Sequence, residues 1–207
     1  MIARWAILLI AVLCGAFDGR AELASDLKIA TPPGFRVNDV MNMKDGYLVA
    51  VDGAELGGEL RWISNDGARS NGITNGNFRY LRAVKNDVVA IGGRVEGAGG
   101  IWTARRGATD GSWTAERILE FQGAPVDVEM DGQGGLMITA LNSMEGRHVE
   151  RTIKLDAMGA ITSVETRELD LGTFMAALRD FAMKEKKRTA RFDEFENRAA
   201  NEDEREK

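Results

Sequence analysis

Along most of the chain, apolar and polar residues alternate or gather in short runs broken by glycine, aspartate and asparagine. Val126, Val128 and Met130 alternate with Asp127, Glu129 and Asp131, and Val149, Arg151, Ile153 and Leu155 alternate with Glu150, Thr152 and Lys154. A period of two predicts strands, whose successive side chains point to opposite faces. Tyr47 to Val51, Val88 to Ile91 and Leu136 to Leu141 are nearly continuous apolar runs, as expected of strands covered on both sides.

The surroundings of these three runs repeat. Each follows an alternating segment (Phe35–Met43, Phe78–Val84, Val126–Met130) and a turn carrying Asp45-Gly46, Asn86-Asp87 or Asp131-Gly132. Each precedes a loop with a glutamate near glycine: Glu55, Glu96 and Glu145. A third strand then carries Leu60-Arg61-Trp62-Ile63, Ile101-Trp102-Thr103 or Val149 to Leu155 and ends in a turn rich in Asp, Asn and Gly. A weaker fourth strand closes each unit, clearest at Trp113–Phe121 and Ile161–Leu169. Four antiparallel strands recurring every 40–50 residues or so predict propeller-like blades.

Gly46-Tyr47-Leu48-Val49-Ala50, a glycine-rich loop, Leu60-Arg61-Trp62-Ile63 and Asn65-Asp66-Gly67 resemble the blade repeats of secreted bacterial β-propellers. Ile153-Lys154-Leu155-Asp156 to Gly159 matches the same turn. The resemblance covers about residues 35–171, implies architecture, and carries over no functional residue. Closed propellers generally have at least four blades, whereas three units are visible in this chain. Dimerisation into a six-bladed ring, closure helped by residues 22–34, or a β-sandwich or barrel would each resolve the shortfall.

The first 21 residues read as an export signal. Arg4 supplies the charge, Trp5 to Phe17 the apolar stretch, and Gly19-Arg20-Ala21 the small residues of a cleavage site. The apolar stretch is shorter than the roughly 20 residues of a membrane-spanning helix, so the mature chain is expected to hold no integral span. The expected location is the periplasm or the medium, or the membrane surface if the leader remains as a tether. Cys14 would suit lipidation, but Leu13 stands where such a signal has a small residue.

After Gly172 the composition changes, and neither Gly nor Pro appears again. Thr173 is a candidate N-cap, and Phe174, Leu178, Phe181, Phe192 and Phe195 follow helical spacing. These five form a candidate docking stripe for a protein partner, or else pack on the β body. The domain reading is a leader at 1–21, a segment at 22–34, a β-repeat domain at 35–171, and a charged amphipathic helix and tail at 172–207.

Composition narrows the chemistry. One Cys and one His exclude an internal disulfide and a Cys/His zinc cluster. The net charge of −5 opposes a general affinity for nucleic acid. The run Gly92 to Gly100 lacks the spacing of a phosphate-binding loop and joins two strands. Trp62 and Trp102 occupy equivalent third strands and are read as packing residues. Asp127, Glu129 and Asp131 place three carboxylates on one strand face, an oxygen-only set suited to Ca²⁺ if it is not simply solvated. Glu55, Glu96 and Glu145, with His148 nearby, are the candidate acid–base groups.

The resulting expectation is an exported non-enzymatic binding or scaffold module, engaging an envelope protein or a second copy, with no cofactor unless calcium. The alternative is a carboxylate- or calcium-dependent hydrolase of an extracytoplasmic sugar or phosphate ester.

Overall fold

The computed structural model describes residues 35–187, apart from 54–55, 86 and 109–110. The leader, the 22–34 segment, Glu55, Phe192 and Phe195 lie outside the described residues. The remainder is mainly β, with three four-stranded antiparallel sheets and one C-terminal helix.

The first sheet comprises β1 (Arg36–Met43), β2 (Gly46–Asp52), β3 (Gly58–Ser64) and β4 (Ser70–Asn75) in sequence order. The second comprises β5 (Phe78–Val84), β6 (Asp87–Gly92), β7 (Ala98–Arg106) and β8 (Trp113–Gln122). The third comprises β9 (Ala124–Met130), β10 (Leu136–Met144), β11 (Arg147–Leu155) and β12 (Ile161–Leu169). The chain then enters α1 (171–187).

The turns follow from local chemistry. Asp131 Oδ1 accepts from the backbone N–H of Gln133 (2.8 Å) and Gly135 (2.7 Å), closing the β9–β10 turn. Asp156 Oδ1 does the same for Met158 (2.8 Å) and Ala160 (2.9 Å) between β11 and β12. Gly134 (φ 85°) and Gly159 (φ 80°) occupy the left-handed position each turn needs, where a side chain would be strained.

The sheets stack face to face. Leu48, Ala50, Leu60 and Trp62 of the first meet Phe78, Leu81, Val88 and Ala90 of the second. The other side of the second, with Val89, Ile91, Ile101 and Phe121, meets Val128, Ile138, Ala140 and Ile153 of the third. The second sheet is therefore covered on both sides, which accounts for the unbroken run Val88 to Ile91. Each large side chain fully buried here contributes about 1.5–3 kcal/mol. Trp102 sits edge-to-face on Phe78 with centroids 4.8 Å apart, and Trp62 is buried in the same cluster, so both are packing residues.

Polar ties hold the leading strands of the sheets in line. Asn38 Nδ2 of β1 donates to the Phe78 carbonyl at 2.8 Å. Asp39 Oδ2 accepts from Leu81 N–H (2.9 Å) and Arg82 Nη1 (3.0 Å) on β5. Tyr80 then donates its hydroxyl to the Val126 carbonyl of β9 at 3.2 Å. The stack is open: among the described residues, no comparable interface returns from the third sheet to the first.

Of the boundaries that differ from expectation, three bear on the packing. β9 begins at Ala124 and contains Pro125, which an edge strand tolerates because its outer N–H groups need no partner. β7 takes in Gly99 and Gly100, since a Cβ on Gly99 would stand 2.5 Å from the Gly123 carbonyl oxygen. The helix starts at 171, capped by Asp170 rather than Thr173: Asp170 Oδ1 accepts from Thr173 N–H at 2.9 Å, and Oδ2 accepts from the Thr173 hydroxyl at 2.7 Å.

Candidate functional site

The helix organises the end of the stack where β2–β3, β6–β7 and β10–β11 are joined. Phe174, Ala177, Leu178, Phe181 and Glu185 recur at three- and four-residue spacing and form its covered side. Phe174, 3% exposed, packs with Val126 of β9 and Leu141 of β10, and Val95, Leu169, Leu178 and Phe181 border this cluster. Phe174, Leu178 and Phe181 are thus taken up by the chain's own third sheet. The apolar side of α1 is satisfied at home.

His148 lies beneath this helix. Its ring stacks on Phe174 at 4.5 Å and 21°, and Nδ1 is 3.2 Å from Ser143 Oγ across the β10–β11 pair. The Ser–His pair is a cross-strand contact under an aromatic lid.

The far half of α1 meets charge. Arg79 of β5 places its guanidinium 5.2 Å from the Phe181 ring centre and 3.4 Å from Glu185 Oε2. The same guanidinium reaches Asp52 Oδ2 at 3.5 Å, and Arg36 approaches that oxygen at 3.8 Å. Arg79 Nε also donates to the Gly93 carbonyl at 3.2 Å. Lys184 donates to Asp127 Oδ2 on β9. That hydrogen bond holds the Lys184 ammonium above its ordinary pKa of 10.5, with partial burial opposing.

The three carboxylates expected as a calcium set do not act together. Asp127 is half-buried and ion-paired with Lys184, Glu129 is exposed, and Asp131 is engaged in its turn. Glu96 and Glu145 are exposed in separate connections. Among the described residues, no three His, Cys, Asp or Glu side chains gather closely enough to hold a metal ion. At the opposite end, an open concavity of about 510 Å³ lies between the β9–β10 and β11–β12 turns, lined by Leu136, Met137, Leu155, Met158, Lys154 and Asp131.

The Asp52–Arg79–Glu185 chain of charges escaped the sequence reading. Its signal was present only as a charged residue directly after the apolar Phe78 at a strand start. No helix among the described residues is long and apolar enough to cross a membrane. The chain matches no protein-family model, no curated protein and no solved structure.

Proposed function

We propose that this chain is an exported, non-enzymatic binding or scaffold module of the cell envelope. A short stack of propeller-like β units carries loops and the outer side of α1 toward a protein partner. The observation that carries this reading is a set of three exposed apolar residues on a helix already packed on one side. Leu171, Met175 and Met183 are 61%, 42% and 57% exposed, and Met144 is exposed as the last residue of β10, at the same end of the third sheet. Unbranched methionine side chains adapt to partner surfaces, which suits a contact face. Hydrolysis by paired carboxylates, in contrast, requires two such groups to face one substrate. Here Asp127, Asp131 and His148 are each committed to a separate structural partner.

A photo-crosslinker placed at Met175 or Met183, with one at the exposed Gln133 of the β9–β10 turn as control, tests the reading in native envelopes. The expected result is one discrete protein adduct from the two helix positions and none from the control. Adducts that are equally diffuse from all three positions would overturn it.

A further inference from the structure

Each of the three sheets has two edges. The leading edges, β1, β5 and β9, are tied to one another through Asn38, Asp39 and Tyr80. The trailing edges, β4, β8 and β12, have no strand paired beyond them among the described residues. Such an edge presents unpaired backbone N–H and C=O groups, which proteins normally blunt with a bulge, a short strand, proline or lysine.

Two of the trailing edges are blunted. β4 has six residues, with Gly72 in its middle and a break in register opposite Leu60 and Arg61. β8 is broken at its centre, opposite Ile101 and Trp102. In β12 the break falls at the first residues, opposite Lys154 and Leu155, and from Ser163 to Leu169 seven pairs with β11 follow without interruption. This stretch contains no Pro, Gly or Lys, and Val164 to Glu168 are all exposed. A regular, exposed edge of this kind is a template for another strand.

We propose that β12 pairs antiparallel with β12 of a second copy, with Thr166 opposite the partner's Thr166. The charges of the strand select both the occupant and the register. Glu165 and Arg167 lie on one face, opposite Thr152 and Glu150 of β11. Glu165 reaches Lys154 at 3.5 Å and Arg167 reaches Glu150 at 2.8 Å, yet the two side chains stay 67% and 66% exposed. Directly opposite residues of a sheet share a face, so a two-fold axis must set one residue against its own copy. Centred on Glu165 it opposes two glutamates, centred on Arg167 two arginines, and centred on Val164 it gives neither charge an opposite partner. Centred on Thr166 it sets Glu165 against the partner's Arg167, and Arg167 against the partner's Glu165. Glu150, Arg167, the partner's Glu165 and the partner's Lys154 then alternate in sign across the junction. A strand from another protein would require no such self-complementarity. This edge is separate from the exposed methionines of α1, so the pairing and the contact proposed for α1 can each fail without the other.

Sedimentation equilibrium over a concentration series tests the proposal on the wild-type chain, on Glu165→Arg, on Arg167→Glu, on their equimolar mixture and on the double variant. The wild type is expected to pass from one chain to two as concentration rises. Each single variant opposes like charges at both pairs and is expected to dimerise about tenfold or more weakly. The mixture and the double variant restore opposite charges and are expected to recover the dimer, which also shows the single variants to be folded. Amide exchange across 163–169 of the wild type, a reading that needs no variant, is expected to slow as the dimer forms. A wild type that stays monomeric would overturn the proposal. A dimer indifferent to the single variants, or single variants that mixing does not rescue, would do the same. Amide protection across 163–169 that is already complete in the monomer would assign the edge to the chain itself, which also overturns it.

Discussion

Arg79 Nη2 lies 3.5 Å from Asp52 Oδ2, joining the start of β5 to the last residue of β2. Asp52 is only 2% exposed, and a carboxylate that deep persists only with cationic partners. Through Glu185 and the Phe181 ring, the same guanidinium also holds the far half of α1. One side chain therefore couples the first sheet, the second sheet and the helix.

Removing that cation leaves Asp52 leaning on a weaker partner. Arg79→Met is expected to destabilise the fold by about 3 kcal/mol, the range seen when one member of a buried pair is deleted. Arg36 is mostly exposed and 3.8 Å away, so Arg36→Met is expected to cost much less. Urea unfolding midpoints of the two variants check the order. A larger effect from Arg36 would place the support of Asp52 elsewhere.

Phe174 anchors the near half of the helix. Its truncation to alanine is expected to cost about 3 kcal/mol, through lost burial against Val126 and Leu141 and the cavity left behind. Helical circular dichroism would fall before the strand signal on heating. Coincident loss of both signals, with the wild-type midpoint, would show that the helix is held by its charged end alone.

The two ends of α1 titrate in opposite directions. Hydrogen bonds from the Thr173 hydroxyl and N–H hold Asp170 below its ordinary pKa of 3.8. A depressed acid stabilises the fold above its unfolded pKa, and that contribution is lost as pH falls through the lower folded value. Lys184 is raised, so its contribution is complete below the ordinary lysine value and is lost as pH rises through the higher folded one. The helix is thus expected to hold across the neutral range and to loosen in strong acid at its start and in strong base at its end. Helical circular dichroism against pH reads both arms. Asp170→Asn, which keeps an acceptor without the titration, is expected to weaken the pH dependence of the acid arm.

Calcium is expected to leave the melting temperature unchanged. Asp127 is paired with Lys184 and Asp131 with its own turn, so an ion would have to break existing contacts to gather oxygens. A saturable rise in Tm at millimolar calcium would contradict this, because specific binding stabilises the folded state.

The β body was legible because its signals are local. Period-two alternation placed β5 and the four-strand repeat placed β12 at their observed limits, and the Asp–Gly turns marked the hairpins. β4, with the sequence Ser-Asn-Gly-Ile-Thr-Asn, has no such pattern, and pairing to β3 alone makes it a strand. The helix was equally legible, but which side meets the sheet depends on Leu141 and Val126, far away in sequence. The charges at Asp52 and Arg79 were illegible for the same reason: periodicity reports on neighbours along the chain, whereas ion pairs join distant strands.

The central claim is that the outer side of α1 is a contact face for a protein partner. Its most direct measurement is the affinity of the crosslinked partner for the wild-type chain and for Met175→Asp with Met183→Asp. A loss of about tenfold or more at unchanged melting temperature is predicted, since burying a charge in an apolar contact is costly. An affinity equal to that of the wild type, with the fold intact, would contradict the account.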